Sequence, residues 1–229
     1  MKHRYFVFLL LALSMYATSV NAFYFWVAGF KYRVADESEP VAELVSAPLL
    51  CKGTCVIPSS IEYQGKVYSV VSIASSAFSG CTKLKKVVLP AGIINIGNWA
   101  FGGCSLLSEV SLGDDVRVIG HSAFRGCKSL KSVVVPPLVV EVEGAVFDKC
   151  VMLSEVYIGQ GVQVVDFSAF NSCTSLKRVV CASEFPPAVA SKVFEKGVFA
   201  DVTLVVPRGC KEAYAQACVW SSFATIVEE

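Results

Sequence analysis

The sequence predicts an α/β solenoid, in which short coils stack around one continuous core and share one parallel sheet. The first observation is a phenylalanine that recurs every 23 residues, and the second is a cysteine that follows it three residues later. The two columns are Phe78, Phe101, Phe124, Phe147 and Phe170, and Cys81, Cys104, Cys127, Cys150 and Cys173. A period of about 20 to 50 residues indicates a repeat architecture, because one unit cannot bury its apolar face without its neighbours.

Residues 1–22 are predicted to be a secretory signal peptide that is not part of the fold. A basic start at residues 2–4 precedes an apolar run at 5–17, and small residues favour cleavage after Ala22. The alternative is a membrane anchor, but the run is shorter than the ~18 to 20 residues that a spanning helix needs. We therefore expect export, and the periplasm, the cell surface and the medium all remain open as destinations.

The charge and hydropathy of the mature chain exclude some classes of partner. Removal of Lys2 and Arg4 leaves 18 basic residues (20 minus 2) against 19 acidic ones, a net charge of −1. A near-neutral chain provides no basic field for nucleic acid or anionic lipid. Apolar residues make up 54% of the sequence but are dispersed by the repeat period, which indicates a large core and no membrane span in the mature chain.

Residues 23–69 are predicted to form an N-terminal β-hairpin cap and the first strand of the stack. Ala28-Gly29 separates two alternating, aromatic-rich runs, which is typical of a hairpin. A second hairpin is predicted at residues 63–68, and residues 55–58 resemble the strand of the later units.

Residues 70–182 are predicted to form five 23-residue repeats with leucine-rich-repeat geometry. Each unit reads L-x-x-V-x-L, a turn, and then I-x-x-x-A-F-x-x-C, which predicts a short strand followed by a short helical or 3₁₀ return. The whole chain should contain about seven parallel strands, with centres near Ile57, Leu89, Leu112, Val135, Ile158, Cys181 and Val206.

Residues 183–229 are predicted to form a degenerate repeat and a C-terminal helical cap. Residues 204–207 resemble the repeat strand once more, and residues 211–218 have the composition of a helix. Trp220, Phe223 and Ile226 follow it and are available to cover the last apolar layer, which a solenoid would otherwise expose.

The repeat sequence resembles a known family. The segment IASSAFSGCTKLKKVVLPAGIINIGNWAFGGC is similar to the BspA-like leucine-rich repeats of bacterial cell-surface proteins, which carry the same I-x-x-x-A-F-x-x-C return. The first strand and the closing segment also look like those of the family, so the resemblance covers roughly residues 50–229. It implies a bacterial surface protein with an adhesin-like role.

The cysteines are predicted to pack as thiols in the core. Side chains stacked in one column point the same way, which is poor geometry for a disulfide, and cysteine behaves as a small hydrophobe. Cys51 and Cys55 are the best disulfide candidates, whereas Cys210 and Cys218 would lie ~12 Å apart along a helix. The pairing of these four and of Cys181 stays open.

The sequence predicts neither an enzyme nor a metal or cofactor site. His121 is the one histidine of the mature chain, and its column also holds serine, asparagine, glycine and phenylalanine. A catalytic set needs a nucleophile, a base and an orienting group, and a metal site needs clustered ligands, so an isolated histidine at a variable external position supports neither.

The outward positions of the strands form a candidate interaction face. Charged residues alternate along it, and an aliphatic column with one tyrosine runs beside them. Its members are Lys85, Lys86, Val88, Lys131, Val134, Glu155, Tyr157, Lys177, Arg178 and Val180. One interpretation is a sheet surface made soluble by alternating charge, and the other is a recognition face for an amphipathic, acidic partner.

These observations lead to two functional interpretations. The first is an exported, non-catalytic protein that binds a protein or glycan partner at the cell surface through its solenoid surface. The alternative is a structural or assembly component of the cell envelope that uses its edges and caps to contact other copies or other envelope proteins.

Overall fold

The computed structural model describes residues 22–48, 51–190, 192–195 and 197–229. The predicted signal peptide therefore lies outside the described residues, except for Ala22. In chain order, the strands are β1 (Phe23–Val27), β2 (Phe30–Val34), β3 (Val41–Ser46), β4 (Gly53–Val56), β5 (Ser60–Tyr63), β6 (Lys66–Ile73), β7 (Leu84–Val88), β8 (Asn95–Ile96), β9 (Glu109–Ser111), β10 (Val118–Ile119), β11 (Ser132–Val135), β12 (Glu141–Val142), β13 (Glu155–Ile158), β14 (Val164–Val165), β15 (Arg178–Cys181), β16 (Ala188–Val189), β17 (Thr203–Val206) and β18 (Thr225–Glu228). Helix occurs in the described residues at α1 (Lys211–Gln216) and in the 3₁₀ turns Val198–Ala200 and Trp220–Ser222.

Two hairpins lie in the N-terminal segment. β1 pairs antiparallel with β2 through Ala28 and Gly29, whose φ angles of 50° and 83° are those of a tight hairpin turn. β5 pairs antiparallel with β6 through Gln64 and Gly65, at 51° and 75°. β3 joins the first hairpin to the stack, because it pairs antiparallel with β2 and parallel with β6. The two predicted hairpins are therefore present, and the domain boundary at residue 69 stays a prediction.

The main strands run parallel, and those of the five repeats keep the 23-residue register. β11, β13, β15, β17 and β18 form one hydrogen-bonded ladder, and β4, β7 and β9 form a second. Val133 lies beside Val156, and Val156 beside Val179, so one repeat step moves each residue to the next strand. The predicted solenoid is confirmed, with two differences. The single predicted sheet is divided between β9 and β11, and β18 adds a parallel strand that the sequence did not predict.

The return of each coil consists of turns, so the predicted helical or 3₁₀ return was wrong. A second row of short strands, each two residues long except for β6, stacks beside the main one in the ladders β6-β8-β10 and β12-β14-β16. In the turn that follows, Ser122 has a φ of 57°, which a helix cannot accommodate. The N–H of Phe124 donates to the carbonyl oxygen of Val146 in the next coil at 2.9 Å. Turn N–H groups thus bond between coils, which removes them from a helical ladder.

The five repeat phenylalanines form one stack through the core. All are buried, neighbouring ring centroids lie 4.9 to 5.6 Å apart, and the ring planes differ by 6 to 17°. Phe194 extends the stack at 5.7 Å from Phe170. The prediction that these rings share one face of the solenoid is confirmed.

The repeat cysteines form a parallel column of thiols. The Sγ of Cys127 donates to the carbonyl oxygen of Phe101 at 3.3 Å, and Cys104, Cys150 and Cys173 repeat this bond. Cys81, in the first repeat, is partly exposed, so the predicted burial fails there. All ten cysteines are free thiols, including the disulfide candidates Cys51 and Cys55.

Aromatic residues cover the apolar layer at the C-terminal end. The buried Trp220 lies 6.0 Å from Phe194 between ring centroids, and its Nε1 donates to the carbonyl oxygen of Pro187 at 2.8 Å. Phe223 packs edge-on against Phe194 at 5.4 Å. Helix α1 ends two residues before the predicted limit. Within the residues that the structure describes, no helix is long and apolar enough to cross a membrane.

Candidate interaction face

The candidate face consists of the outward side chains of the main strands, and we call it the strand face. The inward positions of β13, Val156 and Ile158, are fully buried, while the outward ones, Glu155 and Tyr157, are exposed. β11 and β15 repeat this alternation, since successive side chains of a strand point to opposite faces, whereas the outward Val205 of β17 is buried. The ten predicted residues all occupy outward positions and are exposed or half-buried.

An apolar column crosses the middle of the strand face. Val134, Tyr157 and Val180 are direct neighbours on β11, β13 and β15. Val134 is 57% exposed and Tyr157 is 40% exposed. Val56, which is 63% exposed, pairs with Val88 on β4 and β7, and Ser111 of β9 separates this pair from the other three. The sequence contained the signal for Val56, because residues 55–58 repeat the pattern of residues 87–90.

The column of Lys86, Glu109, Glu155 and Arg178 on the strand face pairs its own charges. Lys86 forms an ion pair with Glu109 across β7 and β9. The Nε of Arg178 lies 3.3 Å from an Oε of Glu155, and its guanidinium also meets Glu229 at 2.8 Å. Neighbouring coils therefore neutralise one another, as the solubility interpretation expects for this column. Glu229 was missed because its position depends on β18.

The neighbouring column, in which lysine alternates with serine, carries the unpaired charge of the strand face. Lys85, Lys131 and Lys177 are exposed, and no ion pair to them is found in the described part of the chain. Ser108 and Ser154 lie between them, and their hydroxyls donate to the carbonyl oxygens of Lys85 and Lys131 at 3.2 and 3.1 Å.

The groups with potential chemistry lie away from this face. His121 is half-buried, and its ring lies 6.0 Å from that of Phe167. Burial raises the pKa of the Cys104 thiol to about 12, which keeps it protonated at neutral pH and weakly nucleophilic. Among the described residues, no group of three or more His, Cys, Asp or Glu is placed to hold a metal ion.

Other exposed apolar side chains lie on the second row of strands, where sequence reasoning did not look. Val118 and Val140 are 39% and 52% exposed, and Phe167 is 47% exposed on the turn beside them. Trp99 holds the guanidinium of Arg125 over its ring at 5.3 Å. Their apolar character follows no repeat column, so the periodicity gave no signal for them.

Comparison with known proteins identifies the repeat type. A family model described as BspA type leucine rich repeat region matches residues 55–184 in six copies. No curated protein matches the sequence.

Solved structures of similar proteins share the fold. A leucine rich cell surface protein from Faecalibacterium prausnitzii matches with a TM-score of 0.56 and 19% identity, over 90% of this chain and 54% of that one. The leucine rich repeat protein of T. pallidum matches at 0.54 and 27%, over 77% and 88%. The pneumococcal vaccine antigen PcpA matches at 0.62 and 21%, over 90% and 47%. The chain thus spans about half the length of the first and third.

Proposed function

Because the chain belongs to the BspA-type leucine-rich repeat family, we propose that it is an exported, non-catalytic protein that binds a protein or glycan through the strand face. The observation that carries this proposal is the exposed Tyr157 between Val134 and Val180, in register on three neighbouring strands. A large aromatic with an apolar surround is the usual composition of a binding anchor.

Export to the cell surface is part of the proposal. The basic start, apolar run and small residues of 1–22 have the composition of a secretory signal. The protein from Faecalibacterium prausnitzii, which shares the fold, is described as a cell surface protein. Both observations favour a location outside the cytoplasm.

The shape of the strand face favours a macromolecular partner. The face is an open row of strands rather than a pocket, and enclosed small-molecule sites are concave and bury most of their ligand. Affinity on an open face comes from a few anchors. Tyr157 supplies the anchor, its valine neighbours the apolar surround, and Lys131 and Lys177 the polar rim.

Truncation of Tyr157 tests the proposal. The partner is first identified on arrays of surface proteins and glycans, and its affinity is then measured by calorimetry. Tyr157→Ala should weaken binding by about 2 kcal/mol, or roughly thirtyfold, with an unchanged thermal transition. Tyr24→Ala is the matched control, because Tyr24 is 52% exposed on β1, outside the face. An unchanged affinity of Tyr157→Ala would exclude this face as the binding site.

A second candidate function is assembly within the cell envelope. Among the strands that the structure describes, β18 ends its ladder and pairs with β17 alone, so its other edge has no strand partner there. Reversal of Lys85, Lys131 and Lys177 to glutamate separates the two functions. Loss of a foreign partner supports recognition, whereas unchanged partner binding together with lost self-association supports assembly.

A further inference from the structure

Basic residues gather where alternate coils enter their main strands. The relevant positions are residues 82–85, 105–108, 128–131, 151–154 and 174–177, which lie in register along the solenoid. They contain five lysines and no aspartate or glutamate. All five lysines are exposed, and we call them the basic stripe: Lys83, Lys85, Lys128, Lys131 and Lys177. The stripe is positive although the mature chain is close to neutral.

The acids nearest to the stripe already have partners. Glu109 and Glu155 directly follow two of its segments, but Glu109 pairs with Lys86 and Glu155 pairs with Arg178. In the described residues, no ion pair reaches a lysine of the stripe. Its positive charge is therefore available to a ligand.

The charges of the stripe have a fixed spacing. Its lysines belong to alternate coils, and Lys85, Lys131 and Lys177 occupy the same column. Neighbouring strands lie ~4.8 Å apart, so these three charges repeat at ~10 Å along a line of ~19 Å. A compact anion contacts one or two of them, whereas a linear polymer with periodic charges contacts all.

Between the lysine-bearing coils lie the hydroxyls of Ser108 and Ser154, together with the exposed apolar side chains of Leu106, Val151 and Met152. Thr174, Ser108 and Ser154 each donate to a backbone carbonyl of the preceding coil, at 3.5, 3.2 and 3.1 Å. Their oxygen lone pairs remain as acceptors. A ligand that carries hydroxyl donors between its negative charges matches this alternation of cations and acceptors.

We propose that the basic stripe binds a linear acidic glycan, one that bears carboxylate or sulfate groups. The proposal rests on the proposed function and names its class of partner. A nucleic acid strand fits less well, because its bases need aromatic platforms, which the stripe lacks. An acidic peptide helix offers no row of hydroxyl donors, because its backbone groups bond to one another.

The test uses the mature protein and immobilised polymers of matched length. Hyaluronan carries one carboxylate per disaccharide, keratan sulfate carries sulfates and no carboxylate, and neutral dextran, polyglutamate and a single-stranded oligonucleotide are the comparison probes. We expect binding to one or both acidic glycans, none to neutral dextran, and weaker binding to the other two. Affinity should fall as salt rises, because exposed charges are screened.

Matched charge variants locate the site. The triple variant Lys85→Gln, Lys131→Gln, Lys177→Gln should lose at least about tenfold in glycan affinity. The control triple, at the exposed Lys66, Lys192 and Lys211, removes the same charge outside the stripe and should change affinity less than about twofold. Both triples replace exposed side chains, and circular dichroism verifies that they fold.

The outcomes that overturn this proposal differ from those that overturn the proposed function. The proposal fails if neither acidic glycan binds, if the two triple variants lose affinity equally, or if polyglutamate or the oligonucleotide binds more tightly. If the glycan proposal fails but Tyr157→Ala abolishes the binding of another partner, the proposed function stands without the basic stripe. If glycan binding depends on the lysines but not on Tyr157, the stripe stands and the apolar column is not the anchor.

Discussion

Replacement of Phe124 by alanine tests whether the aromatic stack stabilises the solenoid. Phe124 is fully buried, and its ring lies 5.1 Å from Phe101 and 5.6 Å from Phe147, with interplanar angles of 7° and 11°. The substitution empties a ring-sized volume and removes both ring contacts of the central unit. Because each repeat contacts only its neighbours, this breaks the stack in its middle.

The expected cost lies in the upper part of the range for buried aromatics. Phe→Ala in a core costs ~3 to 5 kcal/mol, and each ring pair contributes ~0.5 to 1.5 kcal/mol beyond its buried area. The site cannot collapse easily, because the N–H of Phe124 is bonded to Val146 and its carbonyl oxygen accepts from Cys127 at 3.1 Å. We therefore expect a loss of ~4 to 5 kcal/mol, a large share of the ~5 to 15 kcal/mol of a typical domain.

Urea unfolding followed by circular dichroism measures this loss. Two controls bracket it: Phe185→Ala truncates a ring that is 79% exposed, and His121→Ala alters the same turn three residues away. Each should cost less than ~0.5 kcal/mol, as surface substitutions usually do. Similar losses for Phe124→Ala and His121→Ala would mean that the inward and outward positions are wrongly assigned.

Two further predictions concern titratable groups. The Cys104 thiol should resist a maleimide in the native state at pH 8 and react in urea, because burial raises its pKa to about 12; rapid native labelling would contradict its burial. The exposed Cys218 should react at once and serves as the internal control. Burial also raises the pKa of Glu143, so the folded state holds this proton more tightly than the unfolded state does. The resulting stability is present below the ordinary pKa of 4.5 and is lost as the pH rises through the raised pKa. Glu143→Gln should therefore gain in Tm over the parent between about pH 4 and pH 7, and parallel Tm curves would refute this.

The inward half of each coil was predictable, because burial imposes one residue type on each column of a stack. The column of Phe124 and the column of Cys127 were identified from spacing alone. The conformation of the return was not, because apolar residues three apart suit consecutive turns as well as a helix. The deciding feature is the positive φ of Ser122 and its equivalent Trp99, and neither residue type signals that conformation.

The outward half was predictable only in part, because it depends on contacts between coils. Alternation placed Tyr157 and Lys131 on the strand face correctly. The pairing of Arg178 with Glu229 requires β18, and the sequence of that strand carries no repeat signal. The column of Lys85, Lys131 and Lys177 was predicted, whereas Lys83 and Lys128 of the basic stripe were missed because they lie in the turns before the strands.

The alternation of lysine and serine, which avoids repulsion between neighbouring coils, also sets the distance between the charges of the basic stripe. Equal charges in one column would lie ~4.8 Å apart if every coil carried a lysine, and such a ladder repels itself. Serine at 108 and 154 separates Lys85, Lys131 and Lys177 and relieves this repulsion. The same alternation doubles the distance between charges to ~10 Å. A polymer with a charge every two coil spacings can therefore pair each charge with a lysine, whereas a denser polyanion leaves charges opposite serine.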